Sequence, residues 1–210
     1  MSPAQLNPLL GNMDIYLLDQ VLKGRFSQPM RILDVGCGEG RNLVYFIRQG
    51  MEVWGIDRDL AALRLLRMYG KSLHPDFDPE KIIEDDAQDI SLPPGSFDAI
   101  ISSAVLHFAE NEAQFSRMFS ELVRLLRPGG VLFIRTASRM GIEPLLQPLN
   151  VPGRFLLPDG SERFLPDPGF FADLLQLHQM QLLEPARHVV VEGARSMGVW
   201  VLGKNAGYEH

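Results

Sequence analysis

The residues best placed to do chemistry lie in and after one loop. Residues 32–42 read ILDVGCGEGRN, with Gly36, Gly38 and Gly40 at alternate positions behind Asp34. An apolar run ending in glycines is a buried strand entering a tight loop. Glycine permits positive φ and lets a ligand approach with no Cβ in the way. Leu43, Val44, Phe46 and Ile47 then carry helical spacing. A strand, a glycine loop and a helix N-terminus form a nucleotide-binding corner; with no ligand, the same residues are a plain turn. Two carboxylate sites follow, Asp57 in GID and Asp85-Asp86 in EDDAQDI. A single carboxylate can accept both hydroxyls of a ribose diol, as the acidic residue of nicotinamide-binding proteins does. Asp57 is equally placed to N-cap a helix from Leu60. His107, in SAVLHF, is the best candidate base, against a packing or capping role. Arg135, Arg139, Arg154, Arg163 and Arg195 would suit an anion if folding gathered them, and are otherwise solvated. Cys37 reads as a small residue that fits the loop.

These residues need elements to hold them. Asp14 to Lys23 shows helical spacing, stopped by Gly24. Strands are expected over Ile32–Val35, Glu52–Ile56, Lys81–Glu84, Phe97–Ser102 and Val131–Arg135. Helices are expected over Arg41–Gln49, Leu60–Tyr69 with Gly70 as its stop, and Asn111–Leu126. Arg127 to Gly130 reads as a turn. The alternation predicts an α/β fold, a Rossmann-like doubly wound sheet with helices on both faces. In such sheets ligands bind beyond the carboxyl ends of the strands, where Gly36–Gly40, Asp57, Asp86 and Ser102–Ser103 fall. Asp98 starts the fourth strand, away from that edge, and reads as structural. Residues 140–169 are rich in Pro and Gly yet carry Phe155, Leu156, Leu157, Phe164 and Leu165. A hairpin turning at Pro158-Asp159-Gly160 is expected there, and the segment reads as a substrate lid within a single domain of residues 1–210. Phe170–His178 reads as a helix. Ala186–Val191 and Met197–Leu202 read as closing strands, the last one antiparallel.

Composition narrows the class. At 210 residues, 46% hydrophobic and 22% charged, the chain suits one soluble domain with a sizeable core. Lys and Arg number 20 against 26 Asp and Glu, a net charge of −6 that argues against a nucleic-acid partner. No apolar run approaches the roughly 20 residues that span a bilayer, so no membrane partner is expected. The N-terminal residues lack the pattern of a secretory signal. The single cysteine rules out an internal disulfide and a cysteine-rich metal site, and suggests a reducing, cytoplasmic location. No metal is expected, and oligomeric state is not legible.

Glycine spacing selects among nucleotide ligands. A dinucleotide loop reads G-x-G-x-x-G, which would need a glycine at Arg41; here the third glycine comes one residue early. That disfavours a nicotinamide oxidoreductase. The order DVGCGEG, GID, DDAQDISLPPGSFDAI and LRPGG, over residues 30–136, resembles the class I S-adenosylmethionine-dependent methyltransferases. GCGEGRN, with RFLLPDGSERFL and VEGARSMGVWVLGK, is similar to the tellurite-resistance-type subgroup, whose members need not share a substrate.

The resemblance implies S-adenosylmethionine as cofactor and a small-molecule methyl acceptor, with in-line displacement at the methyl group. It implies that Asp57 meets the ribose and Asp86 the adenine amine, with Asp85 as competitor, and the Ala87 backbone the ring nitrogen. Arg58 lies along the adenine or in solvent. Gly36, Cys37, Gly38 and Gly40 supply backbone donors to the amino-acid carboxylate, and Arg41 could pair with it. Asp34 meets the amine, and the backbone of Ser102 and Ser103 the rest of the tail. His107 falls near the methyl. Tyr16 lies on an N-terminal helix that often covers the cofactor in this fold, as a second catalytic candidate. Arg135, Arg154, Arg163 and Arg195 are the substrate candidates. The alternative function is a protein that binds S-adenosylmethionine or S-adenosylhomocysteine without turnover.

Overall fold

Apolar runs separated by glycine and aspartate fold into alternating strands and helices. The structure, a computed structural model, describes residues 3–206. Two short helices lead, α1 (Pro3–Leu10) and α2 (Ile15–Leu22). Next come β1 (Arg31–Val35), α3 (Val44–Arg48), β2 (Glu52–Asp57), α4 (Leu60–Leu73), β3 (Ile82–Glu84), β4 (Phe97–Ser103), α5 (Glu112–Leu125) and β5 (Leu126–Ser138). The remainder holds β6 (Gln147–Pro148), β7 (Arg154–Leu156), β8 (Glu162–Phe164), α6 (Pro168–Leu177), β9 (Met180–Leu182), β10 (Arg187–Val191) and β11 (Arg195–Lys204). The main sheet runs β10-β11-β5-β4-β1-β2-β3, with β9 also paired to β11. β1 to β5 are parallel. β11 is antiparallel to β5, β10 and β9, so the last strand has the expected direction.

The chain steps outward from β1 to β3, then crosses back to lay β4 on the other side of β1. That reversal leaves a crevice beyond the carboxyl ends of β1 and β4, where ligands bind in open α/β sheets. β1 is buried on both faces, as a central parallel strand must be. Leu33 packs with Phe115, Phe119 and Leu122 of α5; Ile32 packs with Phe46, Ile47 and Leu63 of α3 and α4. Burying each such side chain contributes roughly 1.5–3 kcal/mol, which holds the crevice in place.

Local structure departs from the sequence pattern at three places. Gly70 does not stop α4, which runs on to Leu73; a Cβ there would lie 2.3 Å from the Phe77 ring, so this glycine serves packing. Arg127 to Gly130 lies inside β5 as an irregularity, with Leu126 beside Phe97 and Val131 beside Ala99. α3 begins only at Val44, because residues 41–43 stay in a turn closed by Leu43 N–H and Val44 N–H on the Gly40 carbonyl. Residues 140–169 form a small antiparallel sheet, β6-β7-β8, turning near Leu157–Gly160 as expected. Phe164 anchors that sheet to the core, 5.2 Å from Phe115 ring to ring. Among the described residues, no helix is long and apolar enough to cross a membrane.

Candidate active site

Two cavities open at the carboxyl ends of the strands. The first, about 330 Å³, is lined by Val35 and Gly36 after β1, Ile56 to Arg58 after β2, Asp85 to Gln88 after β3, and Ala104, Val105 and Phe108 after β4. Gln114 and Met118 of α5 close its side. The glycine loop is fastened to β2: Gly36 N–H and Cys37 N–H both donate to the Ile56 carbonyl, at 2.8 and 3.0 Å. Gly36 has φ +74°, and a Cβ on it would lie 2.2 Å from Val105. Gly40 has φ +80° and is pressed against Leu66 of α4, whereas Gly38 faces open space.

Asp57 holds this loop in shape. Its Oδ2 accepts from Gly38 N–H (2.8 Å) and its Oδ1 from Asp59 N–H (2.9 Å). The helix N-cap that Asp57 could have supplied belongs to Asp59, which accepts from Ala61 and Ala62. Asp85 is spent on a turn, accepting from Asp86 N–H, Ser91 N–H and the Ser91 hydroxyl. Asp86 keeps one freer oxygen: Oδ1 accepts from Gln88, while Oδ2 is 3.6 Å from the exposed Arg58. Beneath the loop, Asp34 is buried with Oδ1 lacking any partner, and Ser102 Oγ is in the same condition. Burial foremost, then the Asp57 charge, pushes the Asp34 carboxyl up to about 8 against the pull of Arg41. Cys37 is buried, and burial pushes its thiol up, away from thiolate chemistry.

The second cavity, about 190 Å³, lies beside the first and shares Ala104 with it. His107, Arg135, Ala137, Leu157, Arg163, Val191, Arg195 and Met197 complete its lining. Ala104 has φ +65°, a left-handed conformation that costs a non-glycine residue roughly 1–3 kcal/mol. Its N–H donates to the Arg135 carbonyl at 2.7 Å, which ties the wall between the cavities to β5.

His107 is buried and its protonation is fixed by its partners. Nδ1 accepts from Ala137 N–H at 3.1 Å and lies 3.3 Å from Thr136 Oγ1. A backbone N–H only donates, so the neutral ring carries its hydrogen on Nε2. Burial, then Arg163, Arg135 and Arg195, lowers the imidazole to about 4. At neutral pH the free nitrogen is therefore a donor, which changes the expectation of a base.

The predicted arginines divide. Arg135, Arg163 and Arg195 line the second cavity. Arg135 donates to Asp14 Oδ2 at 2.7 Å, and Arg163 lies 4.8 Å from the centre of the Phe108 ring. Arg154 instead pairs with Glu162 and Arg139 with Asp167, and neither lines either of these two cavities. Tyr16 lines neither cavity and packs against the Arg135 guanidinium. Ser103 Oγ is 3.5 Å from Arg41, and Arg41 reaches toward Asp14 at 3.9 Å rather than standing free. Asp98 is structural as read, holding Arg31 N–H and Arg127. Sequence reasoning missed Asp14, Ala104 and Phe108. Asp14 gives a signal, since it N-caps α2 through Tyr16 N–H.

Residues 33–134, from β1 through the first part of β5, match the family described as methyltransferase domain. That segment is just under half of the chain, and over it the chain is similar to a methyltransferase domain. Its limits enclose the glycine loop, Asp57, Asp86 and His107; Arg163, Arg195 and the lid lie outside it. A ubiquinone biosynthesis O-methyltransferase of Alkalilimnicola ehrlichii is 31% identical over 140 residues, 62% of this chain and 51% of that protein. A tRNA N(3)-cytidine methyltransferase of Danio rerio is 29% identical over 57% of this chain and 35% of that one. The chain thus spans about half the first relative and a third of the second. A solved S-adenosylmethionine-dependent methyltransferase from Methanosarcina mazei superposes with a TM-score of 0.71 at 20% identity, covering 88% of this chain and 97% of that one. The chain shares the fold of that solved methyltransferase.

Proposed function

We propose that this protein transfers a methyl group from S-adenosylmethionine to a small molecule. The observation that carries this reading is the pair of cavities meeting at Ala104. The larger, at 330 Å³ against 190 Å³, suits the cofactor, and the smaller suits the acceptor. Residues of the first cavity match the chemistry of the cofactor. Asp57 would accept the ribose hydroxyls, Asp86 the adenine amine, and the Ala87 backbone would meet the ring nitrogen, with Arg58 exposed beside Asp86. The expected backbone donors are already engaged, Gly36 and Cys37 on the Ile56 carbonyl, Gly38 on Asp57 and Gly40 on the Cys37 carbonyl, so the glycine loop contributes shape, its Gly36 packed so closely on Val105 that no Cβ fits. Behind the cavity, outside its lining, Asp34 Oδ1 and Ser102 Oγ are buried without partners, and they are the polar groups offered to the amino-acid tail. Bound there, S-adenosylmethionine supplies a methyl carbon that an acceptor attacks in line with the departing sulfur, which leaves with the electron pair.

What the chain adds is placement. Holding acceptor and donor in one orientation supplies much of the catalysis when the leaving group is already good. The lid contributes Leu157 and Arg163 to the acceptor cavity. Of the stretches resembling the tellurite-resistance-type subgroup, GCGEGRN is the glycine loop, and the two tail stretches contain β7, β8 and β11 beside the acceptor cavity. The net charge of −6 supports a small acceptor over a nucleic-acid one. A second reading, cofactor binding without turnover, is favoured by the donor state of His107. Calorimetry with S-adenosylhomocysteine and product formation over phenol, thiol, amine and oxyanion acceptors test both. Failure of the folded protein to bind S-adenosylhomocysteine rejects both readings; binding with no product from any acceptor rejects the first alone.

A further inference from the structure

The second cavity carries more positive charge than its surroundings neutralise. Of its three guanidinium groups, only Arg135 has a carboxylate within 4 Å among the described residues, that of Asp14. Arg163 donates to its neighbour's carbonyl at Glu162 and lies over Phe108. Asp159, on the lid turn, is an anion near enough to feel Arg195 and Arg163 but forms no ion pair within 4 Å with either, its Oδ1 held by Ser161 N–H (3.0 Å) and the Ser161 hydroxyl (2.6 Å). His107 adds a donor at Nε2 from the floor. Ala137, Leu157 and Met197 make the rest of the wall apolar, and low-dielectric walls strengthen a charge held between them.

We propose that the acceptor is a small carboxylic acid whose carboxylate is bound by Arg163 and Arg195, with His107 Nε2–H as a further donor. This rests on the proposed methyl transfer for the word acceptor; the anion site itself does not. The arginines come from β8 and β11, far apart in the chain, and both turn their charge onto one cavity. Planar guanidinium groups match a carboxylate in shape as well as in sign. Arg135, already balanced by Asp14, orders the wall and leaves the other two as the unsatisfied pair.

The test is calorimetry on protein saturated with S-adenosylhomocysteine, using matched probes: 4-hydroxybenzoate against 4-hydroxybenzamide, and thioglycolate against its amide. At least one acid is expected to bind roughly tenfold more tightly than its amide. R195Q and R163Q are each expected to remove that preference, with unchanged thermal unfolding showing that the fold is intact. R195Q is the cleaner variant because Arg195 is exposed at a strand end. Equal binding of acid and amide, no binding by either, or a preference that survives both substitutions overturns the inference. Loss of S-adenosylhomocysteine binding in the unsubstituted protein would instead overturn the cofactor reading.

Discussion

The two cavities are neighbours built from opposite materials. The polar lining of the first is mainly carboxylate, Asp57, Asp85 and Asp86, set beside Gly36 and apolar side chains such as Val105 and Met118. The second is made of cationic and donor side chains: Arg135, Arg163, Arg195 and His107. Ala104, strained at φ +65°, belongs to both. The first therefore suits a ligand rich in hydroxyl and amine donors, and the second a ligand that supplies negative charge. A division of this kind suits two different molecules side by side.

Substitutions should act on one side at a time, and the largest effects should come from backbone. Gly36→Ala forces a Cβ into Val105 at positive φ and should cost roughly 2–5 kcal/mol of stability or of loop geometry. Gly38→Ala, facing open space, pays the conformational cost alone, about 1–2 kcal/mol. Urea unfolding of the two variants checks the difference, and equal losses would contradict the packing role of Gly36. On the second side, Asp14→Ala leaves Arg135 half-buried and unpaired, with an expected loss of about 3 kcal/mol in the same measurement. A loss below about 1 kcal/mol would show that the pair does not order the cavity wall.

Smaller effects concern ligands. Asp57→Ala should weaken S-adenosylhomocysteine binding by roughly 1–3 kcal/mol, the loss of a charged acceptor together with its hold on Gly38. Unchanged affinity would reject the ribose role. Asp34 should give a pH signature. Its carboxyl, raised to about 8, is mostly protonated at pH 7, and a ligand ammonium beside it favours the ionised form. Binding S-adenosylmethionine should then release a proton below pH 8. Affinity should rise with pH up to about 8 and level off above it. Calorimetry in buffers of different ionisation enthalpy reads the proton count; no release at pH 7 would remove Asp34 from the amine site.

The same contrast decided what the sequence disclosed. Gly36, Gly38, Gly40 and Asp57 act through local backbone geometry, and that geometry is written in contiguous residues. Asp59 rather than Asp57 capping α4 was also legible, since Asp59 immediately precedes Leu60. The second cavity draws on residues from Ala104 to Met197, each an ordinary residue in its own neighbourhood. Which arginines converge is set by the pairing of β5 with β11 and of β7 with β8, and Arg154, though on β7, is turned to Glu162. The His107 tautomer depends on Ala137 N–H, thirty positions along, and no local pattern reports it. A left-handed alanine at 104 gives no signal at all, because alanine does not favour that conformation.

The separation of roles is settled by one titration series: S-adenosylhomocysteine binding to the unsubstituted protein, Asp57→Ala and Arg195→Gln under one buffer. One-to-one binding that Asp57→Ala weakens about fivefold or more and Arg195→Gln leaves within about twofold is the expected result. A folded protein that does not bind, or two variants that lose affinity equally, would contradict a cofactor cavity distinct from its arginine-lined neighbour.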